Sequence, residues 1–347
     1  MCDIGSQHWR TKPRNKEDKM ARIGVRLREE RLTMRQLIDL ARLAEVRGYD
    51  SIWVPEGSGK EAFTQLTAYA LSTQRVLLGT GIATIFTRTP SLLAMTAGTL
   101  DHISGQRAIL GLGIGHQPGI EQGHGVVFDK PLRRMREYVA IIRAILRGDP
   151  MPESSLCPVK RFRLEFTPER PTLPIYIAAL GPRMCQLAGE VADGVLMNWA
   201  TTAYVTEAIA NVRRGAERAG RRPQDVEIAC YIRAAVGPDA SAVRQALARE
   251  TVRYISLDFY RQMFNLSGFA EDTEAVMKAL PQGVEAAAER ISERMLQAVA
   301  ISGAPETCRK RIEEYRALGV THPVVAPVPV GPDVYDSWAA VIQTFAR

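Results

Sequence analysis

Leu100-Asp101-His102-Ile103-Ser104-Gly105-Gln106-Arg107-Ala108-Ile109-Leu110-Gly111-Leu112-Gly113-Ile114-Gly115-His116 turns from a helix into a strand almost at once. Upstream, Thr89 fits an N-cap and Pro90 fits N1, where its missing N–H leaves no bond unmade. The helix they open stops near Ser104-Gly105. From Ala108 the residues alternate: Leu110, Leu112 and Ile114 point to one face, Gly111, Gly113 and Gly115 to the other.

The same alternation of strand and helix runs outward in both directions. Ile23, Val25 and Leu27 predict a strand, and Leu37, Leu40, Ala41 and Ala44 recur with helical spacing before Gly48. Further strands are predicted over 50–56, 76–83, 108–115, 173–180, 194–199, 226–236 and 320–328. Each is followed by at least one helical pattern, including a mostly helical stretch over 240–300. Such alternation implies a parallel sheet, and eight units imply an α/β fold of the (β/α)8 TIM-barrel type with loop insertions. The chain's 347 residues allow two or three domains, yet no Gly/Ser-rich linker divides them. One domain over 20–347 is therefore expected, with 1–19 as a mobile tail and Met20 opening the folded part. The length beyond a minimal barrel falls over 116–132, 149–172 and 240–300.

Composition closes off other classes. With 46% apolar and 24% charged residues the chain is neither disordered nor collagen-like. Its cysteines at 2, 157, 185, 230 and 308 make no CxxC pair and suit a reducing cytoplasm. No apolar run reaches the length of a membrane span. Net charge is +7, of which the first 19 residues carry +2 through Arg10, Lys12, Arg14, Lys16 and Lys19 against Asp3, Glu17 and Asp18. Elsewhere acidic residues interrupt the basic runs, as in Arg213-Arg214-Gly215-Ala216-Glu217-Arg218, and no aromatics interleave with them. That pattern fits solvated helix faces rather than a nucleic-acid surface. No membrane or nucleic-acid partner is expected.

Candidate chemistry gathers at strand ends, where a barrel keeps its active face. Glu56 ends the second strand, His116 follows the fourth and Asn198 closes the sixth. His116, with an ordinary pKa of about 6.5, can exchange a proton near neutrality. The glycines of the fourth strand, with Gly79 and Gly81 in the third, read either as a thin packing layer or as room for a planar cofactor. Ala178-Ala179-Leu180-Gly181-Pro182-Arg183-Met184 passes from strand to helix, and its free N–H groups with Arg183 make a candidate anion site. The histidines at 8, 102, 116, 124 and 322 include no HxxxH pair, so no metal is expected. The chain also lacks a P-loop and a GxSxG elbow, and with them the corresponding chemistries.

Four segments together resemble the bacterial luciferase-like flavin and deazaflavin oxidoreductases. They are Tyr49-Asp50-Ser51-Ile52-Trp53-Val54-Pro55-Glu56; Leu78-Gly79-Thr80-Gly81-Ile82 with Arg88-Thr89-Pro90; Leu100 through Arg107; and Ala188-Gly189-Glu190-Val191-Ala192-Asp193-Gly194-Val195. The stretch from Ala178 to Asn198 is similar to the branch that uses the 5-deazaflavin coenzyme F420, the methylenetetrahydromethanopterin reductase-like group. The resemblance implies a non-prolyl cis peptide in a bulge of strand three, here Gly81–Ile82. It places Ile82, Ala83 and Thr84 beside the ring, Gly181, Pro182 and Asn198 near its tail and phosphate, and Glu56 at its polar edge. Gly115 and Arg183 join the expected cofactor contacts, and His116 and Glu56 are the expected proton-moving residues. His116 stands where related enzymes carry a glutamate, for which Glu121 is the nearest substitute.

The implied reaction is hydride transfer between the deazaflavin and a small organic substrate, in a cytoplasmic homodimer. Two alternatives remain on the same residues. One is an FMN-dependent monooxygenase working with a separate reductase, the other a deazaflavin-binding protein without turnover.

Overall fold

The computed structural model describes residues 22–346, so the expected tail over 1–19 and the start at Met20 lie outside the described residues. The expected strands are found, each a little shorter than its apolar pattern. They are β1 (Gly24–Arg26), β2 (Ser51–Val54), β3 (Leu77–Thr80), β4 (Ala83–Thr84), β5 (Ala108–Gly113), β6 (Ile175–Ala178), β7 (Gly194–Asn198), β8 (Glu227–Ala234), β9 (Ala300–Ile301) and β10 (His322–Pro327). All pairings are parallel, and β10 lies between β1 and β8, which closes the barrel. The helices around it are α1 (Met34–Val46), α2 (Ala62–Ser72), α3 (Pro90–Ser104), α4 (Pro131–Arg147), α5 (Pro182–Val191) and α6 (Thr202–Arg218). After β8 come α7 (Ala240–Ile255), α8 (Asp258–Phe264), α9 (Ala270–Ala279), α10 (Val284–Ala288) and α11 (Glu293–Val299), then α12 (Pro305–Ala317) and α13 (Val334–Thr344).

Caps set several boundaries as their residues predict. Thr89 Oγ1 accepts from Leu92 N and Pro90 opens α3, which ends on Gly105 in the left-handed region at φ 65°. Two strand expectations need correcting. The strand expected over 76–83 from its apolar pattern is split into β3 and β4 by a cis Gly81–Ile82 peptide, the bond that the family resemblance implies. Gly79 pairs with Ile109 and Ala83 with Leu112, so four steps on one strand match three on the other; this extra residue is a bulge. The last helix of the 240–300 stretch gives way at Ala300 to β9, which extends the sheet beside Arg233 and Ala234.

Alternation sorts the barrel into layers. Trp53, Ile109, Tyr176, Leu196, Ala229, Tyr231 and Val324 fill the interior, while the opposite strand faces pack on the helices. The N-terminal end is closed by a polar cluster. Trp53 Nε1 donates to Ser51 Oγ at 2.7 Å, and Ser51 Oγ meets His322 Nε2 at 2.8 Å. His322 Nδ1 lies 3.2 Å from the Glu227 carboxylate, which also takes Arg22 and the Tyr176 hydroxyl. Burial alone would raise the Glu227 carboxyl, but these partners outweigh it and hold its pKa at about 2. The C-terminal end is left to carry the site.

Candidate active site

The bulge is the built feature of the barrel mouth. Thr80 Oγ1 accepts from Gly111 N at 2.9 Å and donates to Gly111 O at 2.8 Å, replacing ladder bonds that the extra residue removes. Gly81 N donates to Val54 O at 2.8 Å, and the Tyr231 hydroxyl donates to Gly81 O at 3.0 Å. The glycines make room for this arrangement. A Cβ at Gly111 would strike the Thr80 carbonyl, one at Gly113 the Ile82 side chain, and one at Gly81 the Tyr231 hydroxyl. Gly79 likewise admits the Trp53 ring. Of the two readings of the glycines, a packing layer is the one seen: what approaches them is the chain itself. Ile82, backed by Gly113, remains partly exposed, while Ala83 and Thr84 are buried behind it.

Glu56 ties the end of β2 to this bulge. Its N–H donates to Ile82 O at 3.0 Å, and its carboxylate accepts from Thr84 N at 3.2 Å. The same carboxylate takes Arg88 Nη2 at 2.7 Å, and Arg88 reaches on to Glu61, the N-cap of α2. Both side chains of the Glu56–Arg88 pair are largely buried. Gly115 turns the chain outward at φ 66°, close to Ile120 and Thr84. Glu56, Gly81, Ile82, Ala83, Thr84 and Gly115 are thus brought together at one side of the barrel mouth.

His116 and Asn198 belong to a second cluster, built over the mouth by α8. The Asn198 amide donates to the Tyr260 hydroxyl at 2.7 Å, and Arg233 Nη1 donates to Asn198 Oδ1 at 2.6 Å. Arg233 also donates to the Tyr254 hydroxyl at 3.0 Å and stacks 4.4 Å from the Trp199 ring centroid. The His116 ring lies 5.8 Å from that of Tyr260, and its partial desolvation lowers its pKa below the ordinary histidine value. Burial would raise the Tyr254 phenol, but Arg233 beside it brings its pKa below the usual tyrosine value. Glu121 is held within its own loop, accepting from Gln117 at 3.2 Å and from Phe128 N at 3.4 Å.

The Gly181-Pro182-Arg183 turn opens α5 without a side-chain cap. Pro182 has no N–H, and those of Met184 and Cys185 turn back to Gly181 O at 3.1 and 3.0 Å. The turn therefore offers an anion fewer donors than a bare helix start would. Phe259, on α8, lies against Gly181.

Sequence reasoning missed the polar residues deeper in the mouth: Arg26, Tyr231, Arg233, Tyr254 and Tyr260. The available signal was a charged residue inside an apolar strand, as in Ile23-Gly24-Val25-Arg26-Leu27 and Cys230-Tyr231-Ile232-Arg233-Ala234. Among the described residues no group of three or more His, Cys, Asp or Glu side chains could hold a metal ion. No helix among them is long and apolar enough to cross a membrane.

A family model described as luciferase-like monooxygenase matches residues 19–322. The chain is 33% identical over 298 residues to a 5,10-methylenetetrahydromethanopterin reductase of Methanolobus tindarius, covering 84% of this chain and 90% of that protein. To the reductase of the same name from Archaeoglobus fulgidus it is 34% identical over 300 residues, with 84% and 89% covered. Its fold is similar to the solved coenzyme F420-dependent tetrahydromethanopterin reductase of Methanopyrus kandleri, with a TM-score of 0.78 at 26% identity over 93% and 97% of the two chains.

Proposed function

Because the chain belongs to the luciferase-like monooxygenase family, we propose that it is a coenzyme F420-dependent oxidoreductase acting on a small organic substrate. The structural observation that supports a ring-binding enzyme is the bulge at 81–84, and the preference for F420 over FMN rests on the similarity to the methylenetetrahydromethanopterin reductases. It presents one partly exposed apolar side chain, Ile82, on a support whose backbone groups at Gly81, Ile82 and Thr84 already have partners within the chain. Such a shelf fits the face of a planar ring. When bound, the deazaflavin supplies a carbon, C5, that takes or gives a hydride without forming an oxygen adduct.

The chain's own residues have the remaining tasks. Ile82, with Ala83 and Thr84 behind it, holds the ring's face, and Gly81 and Gly115 fix the backbone on either side. Arg183 supplies the positive charge that, with Asn198, holds the anionic tail, and Gly181 and Pro182 shape the turn that carries it. Glu56, whose carboxylate is engaged by Arg88 and Thr84 N, positions the shelf rather than moving a proton. His116, whose lowered pKa favours the neutral ring, accepts a proton from the substrate at a ring nitrogen.

Titration of the purified protein with each cofactor, followed by tryptophan fluorescence, tests the reading. Saturable quenching by F420 with none by FMN is expected. Tight FMN binding without F420 binding would overturn it in favour of the FMN-dependent monooxygenase.

A further inference from the structure

Arg26 ends β1 and Arg233 stands near the end of β8, with only β10 between these strands. Both are at inward positions, since Val25 and Ile232 beside them pack outward on the helices. Next to Arg26 a cavity of 760 Å³ opens between the loop after β1, helix α7 and the loop after β10. Its walls are rich in arginine, and most of these cations have acidic partners. Arg28 pairs with Glu30 at 2.8 Å, Arg31 with Glu29 at 2.8 Å, and Arg249 with Glu285 at 3.0 Å. Arg26 and Arg253 differ: among the described residues neither guanidinium makes an ion pair or a hydrogen bond. Arg26 is half-buried and faces the like charge of Arg233, whose one carboxylate, Glu250, is 3.9 Å away. Burial and Arg233 together pull the Arg26 pKa below the ordinary arginine value.

A guanidinium held against another guanidinium, with its own donors unused, is costly unless an anion completes it. The planar fork matches a carboxylate or a phosphate. Position in the barrel separates this cavity from the Gly181 turn. In the closed strand order β6 lies four strands from β1, so the two face each other across the mouth. The loops after the seventh and eighth barrel strands, here β8 and β10, are also a frequent phosphate seat in this fold.

We propose that this cavity is the substrate subsite and that Arg26 and Arg253 seat an anionic group, carboxylate or phosphate, carried by the substrate. The proposal rests on the oxidoreductase reading for the word substrate, but the anion site can be tested without turnover. Inorganic phosphate and succinate are titrated by calorimetry into the F420-loaded protein and into the free protein. At least one should bind saturably to both forms. Arg26→Gln and the exposed Arg253→Gln should each weaken that binding about tenfold while leaving F420 quenching unchanged. The free Arg26→Gln protein should melt no lower than the parent, because an uncompensated charge has been removed. Anion binding that is absent, or that is indifferent to both substitutions, overturns the proposal. So does a loss of F420 affinity in the variants, which would give the arginines to the cofactor's own tail. Failure of F420 to bind the parent protein would sink the cofactor reading alone, since the free-protein titration still reads the cavity.

Discussion

His116 and Glu56 show how differently two strand-end residues are used. His116 meets the second cluster at the Tyr260 ring and is otherwise exposed, while Glu56 is bound on several sides by Arg88, Thr84 and Ile82. His116→Ala should therefore lower kcat by about 10²-fold or more, the usual worth of a positioned acid or base, with F420 affinity changed less than twofold. Because its pKa is lowered, the neutral form persists below the usual histidine range; parent activity should fall on the acid side only once pH drops below about 6.5. Steady-state kinetics across pH checks both, and unchanged turnover in the variant would move the proton to another group. The place of these residues at the barrel mouth was legible because they follow strand ends. Arg26 and Arg233 were not, because a barrel strand is buried on both faces. Val25 and Arg26, or Ile232 and Arg233, give no hint in one dimension of which side looks into the mouth.

Glycine spacing in β5 was the visible sign of something that apolar pattern alone did not spell out in β3, where only the family resemblance implied the break at Gly81–Ile82. The run Val76-Leu77-Leu78-Gly79-Thr80-Gly81-Ile82-Ala83 reads as one uninterrupted strand, because one added residue leaves its apolar character unchanged. Only the partner strand records the displacement, by omitting side chains where Thr80 O and Ile82 must fit. Helix ends were read closely where a cap residue announces them, as at Thr89 and Gly105. The β9 pair carries no such mark and was absorbed into the preceding helix. If the bulge is the ring support, crowding it from behind should disturb binding before it disturbs folding. Gly113→Ala places a methyl against Ile82 and should cost about 1–3 kcal/mol of stability, as overpacking does. F420 affinity should fall at least tenfold. Urea melts and quenching titrations measure the two effects, and intact affinity would show that Ile82 does not bear the ring.

The whole barrel has ends of contrasting chemistry. At the N-terminal end Glu227, held at a pKa of about 2, joins β8 to Arg22, β6 and β10. A depressed carboxyl stabilises the fold fully above its unfolded value of about 4.5 and loses that contribution as pH falls towards 2. The span corresponds to at most about 3 kcal/mol. Denaturant unfolding measured between pH 6 and pH 2 should show this decline, and Glu227→Gln should flatten it while lowering stability at neutral pH. A variant with the parent's pH profile would place the acid sensitivity elsewhere. At the other end, one strand serves two masters. Tyr231 of β8 holds the bulge through Gly81 O, and two residues on Arg233 faces Arg26 beside the anion cavity. The loops lining that cavity are free to diverge between descendants of this chain, and substrate preference can wander with them. β8 is not: with Tyr231 holding the shelf and Arg233 facing the cavity, it is constrained from both sides, so this strand should evolve most slowly and mark the lineage longest.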